Sequence, residues 1–272
     1  MEDYKPIIKF FEELTNRASE STYPKNDVRI DFFNLIAGLA QLYYLEQIAL
    51  ESSVLFKNKK LRCTELNFYH KINDFIKLAE NEVLYKSFRS ATNRGLIIDS
   101  WSSFEVCLSA ICDKIYSSED KINIQNKKYE DVIKCLKKYN LDEEIKKKLE
   151  KILVEKEFWL TSTNSKFNKL LSLLKEKYRR EIKKDRDFLE FFGKLRNTMH
   201  SNFVYFGEPF IYIFEGVEFI FDKKQLVVNE RDAHPLLFLN MIVRLTEIYT
   251  EIISHFEDTG FIPYPDQYAE EY

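Results

Sequence analysis

The residues of this chain most able to do chemistry lie in the segment from Phe191 to Asn202, which is predicted to be helical. Arg196 and His200 stand four positions apart there, and side chains at that spacing share one face of an α-helix. Arginine carries a fixed positive charge, whereas histidine exchanges protons near neutral pH. The pair therefore suits chemistry on a phosphodiester, in which negative charge builds up while protons move.

Two faces of the motif helix, predicted from Asp187 to His200, differ in character. An apolar stripe predicts core packing and consists of Phe188, Phe192, Leu195 and Met199. The adjoining face carries Leu189, Gly193, Arg196 and His200. A glycine inside a helix costs roughly 1 kcal/mol relative to alanine. Gly193 either leaves room for a ligand on this face or lets another helix pack closely, and the sequence favours the two equally.

A second helix, predicted from Gly95 onward, carries apolar residues at alternating spacings of four and three: Ile97, Trp101, Phe104, Leu108, Ile111 and Ile115. Such a seam requires a partner helix. Glu105 flanks the seam at its buried edge, where a carboxylate needs a partner.

The run Arg196-Asn197-Thr198-Met199-His200, followed by Ser201-Asn202, resembles the R-N-x(n)-H signature of the HEPN superfamily. These helical proteins include many metal-independent ribonucleases. Three residues separate the arginine from the histidine here, whereas family members usually place four to six. Ser103-Phe104-Glu105 looks similar to the acidic element of the first core helix in such domains. The resemblance implies an antiparallel helical bundle and a homodimer in which two motifs face one cleft.

The resemblance also implies a role for each residue. His200 would act as general base on the ribose 2′-hydroxyl or as general acid on the leaving 5′-oxygen. Arg196 would hold the scissile phosphate, and Asn197 would orient the phosphate or the histidine. Glu105 would fix the guanidinium of Arg196. The nucleophile is the RNA's own 2′-hydroxyl, so the predicted endoribonuclease needs no metal or other cofactor. Such an enzyme would be a toxin or an anti-phage defence effector.

The most basic stretch of the chain, Tyr178 to Arg186, precedes the motif helix and supplies the predicted RNA-binding residues. These are Arg179, Arg180, Lys183 and Lys184. Asp185 or Asp187 is predicted to cap the helix.

Two alternatives to a ribonuclease stay open. One is a non-catalytic module that binds RNA or a partner protein through the same face, and the other is a purely structural ion-pair patch that joins Arg196 to Glu105.

The elements around these residues are predicted to be mainly helical. Only 6 Gly and 6 Pro in 272 residues favour long helices over many short strands. The run Ser90 to Gly95 is predicted to be a linker that divides an N-terminal helical extension, residues 1–90, from a HEPN-like domain, residues 91–272. Short β-branched and aromatic runs around residues 208–229 predict a small antiparallel meander after the motif.

Bulk properties limit the partners and the location. The 41 basic and 44 acidic residues nearly cancel, so any RNA contact must use a local patch. The four cysteines form no C-x-x-C pair, which argues against zinc and against a disulfide framework. A signal peptide is not indicated, and the apolar stretch from Phe32 to Leu45 is too short to span a bilayer. We expect a cytoplasmic protein with RNA, a second copy and an antitoxin or defence-system protein as partners.

Overall fold

A computed structural model describes residues 5–58, 77, 80–128, 138, 142–145, 161–222, 224–228 and 235–265. The described part is mainly helical with one small antiparallel sheet, as predicted. Its helices are α1 (Lys5–Glu20), α2 (Val28–Asn58), α3 (Glu82–Ile115), α4 (Ser118–Lys128), α5 (Thr163–Leu174), α6 (Ile182–His200) and α7 (Pro235–Ile253). Its strands are β1 (Phe210–Phe214), β2 (Val217–Asp222) and β3 (Gln225–Val228), and a short 3-10 helix spans Glu257–Thr259.

Contacts within the chain define two compact units whose segments alternate along the sequence. Unit 1 consists of Met1–Thr22, Phe32–Ser103 and Phe191–Glu247. Unit 2 consists of Tyr23–Asp31, Phe104–Glu190 and Ile248–Tyr272. The division predicted at residue 90 stays a prediction.

The prediction of a linker from Ser90 to Gly95 is wrong, because α3 runs through these residues without a break. Its polar residues look like loop residues in the sequence, but two of them are buried and paired with α2. Asn93 Oδ1 accepts a hydrogen bond from the Tyr43 hydroxyl at 2.5 Å, and Thr92 Oγ1 accepts one from Gln47 Nε2 at 3.3 Å. Buried polar side chains are stable when they are hydrogen-bonded in this way.

The predicted meander after the motif helix is confirmed. The strands lie in the order β1-β2-β3 with antiparallel pairing, and Phe210 stands opposite Phe221 in the first pair. The turn between β1 and β2 has positive φ at both central residues, Glu215 and Gly216, which is the geometry of a two-residue hairpin.

Aromatic packing fixes this sheet against α6 within unit 1. The Phe191 ring is stacked on Tyr212 with centroids 4.3 Å apart, and it meets Phe219 edge-on at 4.9 Å. Phe219 and Phe221 are fully buried. Such aromatic pairs stabilise the fold beyond the area they bury, so the sheet supports the half of α6 that carries the motif.

A buried ion pair joins the start of α2 to the C-terminal segment within unit 2. Arg29 Nη2 lies 2.6 Å from Asp27 Oδ2, and both side chains are almost completely buried. Arg29 also donates to the carbonyl oxygens of Phe256 and Gly260. Because every charged group here has partners, the arrangement avoids the large cost of an isolated buried charge.

Among the described residues one helix, α3, is long and apolar enough to cross a membrane. Within its most apolar window, 61% is buried inside the protein. Core helices of soluble proteins have the same property.

Candidate functional site

The motif residues occupy the last two turns of α6. Arg196 is half-buried, whereas Asn197 and His200 are exposed. Arg196 Nη1 donates a hydrogen bond of 2.9 Å to Asn197 Oδ1. His200 has no hydrogen bond or ion pair with any described residue, so its ring is open to solvent and to a ligand. The adjacency of arginine and asparagine in the sequence thus has a structural role, since the amide orients the guanidinium.

Consecutive left-handed residues end α6 directly after His200. Asn202 has φ 54° and Phe203 has φ 65°, and the Phe203 amide donates to the Thr198 carbonyl at 2.8 Å. A bond of this type closes many helix C-termini, although a bulky residue with positive φ is uncommon. The turn holds Asn202 where Arg94 Nη1 of α3 reaches its Oδ1 at 3.4 Å. A second arginine therefore contacts the end of the motif helix.

Close helix packing explains Gly193. A Cβ atom added at this glycine would lie 3.2 Å from Cζ2 of Trp101, which comes from the seam of α3. Trp101 is also stacked on Phe192, with ring centroids 5.6 Å apart. Of the two explanations that the sequence favoured equally, the structure supports the approach of another helix, and the space at Gly193 is filled by the indole.

Two buried side-chain atoms of the described residues lack any hydrogen-bond partner, Arg196 Nε and Ser100 Oγ. They belong to the two helices that meet at Trp101 and Gly193. Leaving a buried donor unpaired costs about 1–3 kcal/mol, and such groups in folded proteins call for an explanation. The unpaired Nε means that the Arg196 guanidinium is held in this position at some cost in stability.

Glu105 belongs to unit 2, where it is half-buried and accepts a hydrogen bond from Thr163 Oγ1. Its charge also acts on Lys166, a fully buried residue whose Nζ donates to Ser109 Oγ at 2.8 Å. Burial lowers the pKa of Lys166, and the nearby acidic groups oppose that effect. The partner required by the carboxylate therefore exists within its own unit, and its role toward Arg196 stays a prediction.

The predicted RNA-binding residues differ in their surroundings. Arg180 Nε lies 3.0 Å from Oδ2 of the buried Asp185, and the same oxygen accepts a bond of 2.7 Å from the Tyr178 hydroxyl. Lys184 pairs with Glu181 at 2.7 Å on the surface. The side chains of Arg179 and Lys183 are exposed and make no hydrogen bond with a described residue, although the Arg179 amide donates to Glu251 Oε1 at 2.7 Å. These last two are the cations most available to a polyanion.

The prediction that Asp185 or Asp187 caps the motif helix is wrong. Helix α6 begins at Ile182, several residues before the predicted start, so both residues lie inside it and Asp185 is in its first turn. Pairing with Arg180 and Tyr178 explains why a carboxylate is buried there.

The described residues contain no group of three or more His, Cys, Asp or Glu side chains that could hold a metal ion. Cys107 and Cys112 are buried free thiols, and burial raises the pKa of Cys112 to about 12. Thiols in such surroundings behave as small apolar side chains. Cys63 and Cys135 lie outside the described residues.

No family model, curated protein or solved structure matches the chain. The candidate site is defined by Arg196, Asn197 and His200, together with Arg94 and Asn202, all within unit 1. Arg94 was missed because the run from Ser90 to Gly95 resembles a linker. The spacing of Tyr85, Phe88 and Leu96, three and eight residues apart and so on one helical face, was the signal that could have revealed it.

Proposed function

We propose that the protein is a metal-independent endoribonuclease of HEPN type. The observation that carries the proposal is a solvent-open His200 one helical turn from Arg196, whose guanidinium is held by Asn197. Residues four apart on a helix have Cβ atoms about 5–6 Å from each other, so both side chains can reach one phosphodiester.

The chemistry divides between the two side chains. Arg196 offers the guanidinium Nη atoms to the non-bridging oxygens of the phosphate, where negative charge grows during attack by the 2′-hydroxyl. His200 takes the proton of that hydroxyl or gives a proton to the departing 5′-oxygen. Arg94 of α3, which contacts Asn202 just beyond the end of the motif helix, adds a second positive charge for the neighbouring RNA backbone. Glu105 is proposed as a supporting residue.

A homodimer would complete this mechanism, since one copy could supply the base and the other the acid. We place the enzyme in the cytoplasm as a toxin or defence effector, with an antitoxin or a defence-system protein as its controlling partner.

The test is cleavage of single-stranded and structured RNA by the purified protein in EDTA. Wild type should cut RNA. It should leave DNA intact, and it should also leave intact an RNA that carries a 2′-deoxy substitution at the cleaved position. Arg196→Ala and His200→Ala should each lower the rate at least about 100-fold, the size expected for the loss of an acid-base or charge-stabilising group. Arg186→Ala is the matched control, because Arg186 is exposed on the same helix and has no described partner. Equal persistence of RNA with wild type and both mutants would overturn the proposal.

A second candidate is a module that binds RNA without cutting it, favoured by the exposed side chains of Arg179 and Lys183. It predicts salt-sensitive binding that charge reversal at these two positions weakens, while RNA stays intact. Binding unaffected by salt and by both reversals would count against it.

A further inference from the structure

A cavity of about 550 Å³ lies within unit 1, beside the end of the motif helix. Its apolar lining comes from α6 and the turn after it, from β2, β3 and α7, and consists of Leu195, Met199, Phe203, Phe219, Leu226 and Phe238. Small-molecule sites typically have volumes of about 300–1,000 Å³ and mostly apolar walls with few polar groups. The cavity has the size and the wall of such a site.

Among the described residues, the polar side of the cavity comes from the first half of α3. It contains Glu82, Tyr85, Lys86, Arg89, Ser90 and Asn93. Lys86 Nζ pairs with Glu82 Oε1 at 3.2 Å, so these two charges offset each other. Arg89 is half-buried and has no hydrogen bond or ion pair from its side chain to any described residue. One positive charge therefore remains unbalanced at the wall.

Asn93 gives this wall a fixed donor. The side chain is only 8% exposed, and its Oδ1 accepts from the Tyr43 hydroxyl at 2.5 Å. This bond sets the orientation of the amide and leaves Nδ2 without a partner among the described residues. A buried amide with free N–H groups and a nearby unpaired guanidinium both favour an anionic or strongly accepting group.

We propose that this cavity is a binding site for a small amphipathic anion. The apolar body of the ligand packs against the aromatic wall formed by Phe203, Phe219 and Phe238, and its carboxylate or phosphate accepts from Arg89 and Asn93. An aliphatic carboxylate and a nucleoside monophosphate share this chemistry. The proposed binding site does not depend on RNA cleavage. It nevertheless lies close to His200 in the sequence, since Met199 precedes His200 and Phe203 follows three residues later.

The experiment uses the full chain and the fluorescent aromatic sulfonate 8-anilinonaphthalene-1-sulfonate, which itself is an apolar body with one negative charge. We expect saturable binding to the folded wild type, followed by displacement with decanoate or with adenosine 5′-monophosphate. Displacement by only one of the two compounds shows whether the site takes an aliphatic carboxylate or a nucleoside monophosphate. If neither compound displaces the probe, the proposal is wrong.

Two variants locate the site. Arg89→Ala should weaken binding of the displacing anion about tenfold or more, because a charge-assisted contact is lost. Ser90→Trp should abolish it, since Ser90 is exposed at the wall and a large ring there fills the cavity. Lys114→Ala, which removes the same charge from an exposed position of the same helix, should bind like wild type.

Circular dichroism of each variant shows that the helical fold is retained. Affinities of Arg89→Ala and Ser90→Trp equal to that of wild type would place the probe elsewhere and overturn the proposal. If Ser90→Trp fails to fold, the comparison of Arg89→Ala with Lys114→Ala decides the question alone.

Discussion

Trp101 lies so close to Gly193 that a Cβ atom at position 193 would stand 3.2 Å from Cζ2 of the indole. The Trp101 side chain is only 5% exposed, and its indole is stacked against Phe192. It therefore has little freedom to move away from position 193. The absence of a side chain at Gly193 therefore allows α3 to pack closely against α6.

Gly193→Ala should destabilise the protein by about 1–2 kcal/mol, because overpacking outweighs the gain in helix propensity. Denaturation with urea measures the change. Gly95→Ala is the matched control: Gly95 also lies inside a helix, but an added Cβ would meet nothing within 4 Å. That variant should be more stable than wild type by about 0.5–1 kcal/mol. A Gly193→Ala protein as stable as the Gly95→Ala protein would contradict the packing explanation.

Asn197→Ala should lower the rate of RNA cleavage about tenfold while changing stability by less than about 0.5 kcal/mol, since the residue is exposed and its bond orients Arg196. Initial rates at saturating RNA and a melting curve measure the two effects. Asn197→Asp keeps the acceptor for Arg196 but adds a negative charge beside the phosphate, so it should cut more slowly still. Full activity in both variants would remove Asn197 from the site.

Asp27→Asn should destabilise the protein by about 3–5 kcal/mol, because Arg29 stays buried without its counter-charge. Asp258→Asn, at an exposed position of the nearby 3-10 helix, should change stability by less than about 0.5 kcal/mol. Equal stability of the two variants would show that the buried pair contributes little.

Asp27 also makes the free energy of unfolding depend on pH in the acidic range. Burial raises the pKa of this carboxyl, but hydrogen bonds from the side chain and amide of Arg29 and from the Ile262 amide together lower it below its ordinary value of 3.8. The folded protein thus binds this proton less readily than the unfolded chain. The stabilisation is fully present above about pH 3.8 and is lost as the pH falls through the folded pKa. Urea denaturation at a series of acidic pH values should show a weaker loss for Asp27→Asn than for wild type.

Arg180→Ala should lower stability by about 1–3 kcal/mol, because Asp185 would stay buried with a weaker set of partners. Lys183→Ala removes an equal charge from an exposed position and should leave the melting temperature nearly unchanged. An unchanged melting temperature for Arg180→Ala would show that its contact with Asp185 is dispensable. RNA-binding measurements should accordingly rely on Arg179 and Lys183.

Cys112 should resist a thiol reagent at pH 8 in the folded protein and react after denaturation. The pKa of its thiol is raised to about 12 by burial, so almost no thiolate is present and access is blocked. Mass spectrometry of the labelled peptides identifies the site. Rapid labelling of Cys112 in the folded state would show that this part of unit 2 opens.

The sequence by itself determined the mainly helical class, the meander after the motif and the apolar stripe of α6. These follow from periodicity, since Phe188, Phe192, Leu195 and Met199 recur on one helical face whatever they pack against. The pair Arg196 and His200 was likewise placed correctly on the last turns of a helix, because their spacing is local.

Tertiary structure alone decided which groups pair. Hydrogen bonds from Tyr43 and Gln47 satisfy the buried side chains of Asn93 and Thr92 inside α3, although these residue types are typical of a linker. Trp101 explains the glycine at position 193, and Thr163 supplies a partner for Glu105. The physical reason is that burial can be inferred from a pattern along the chain, whereas a hydrogen-bond partner or a close contact depends on distances between segments that only the fold brings together.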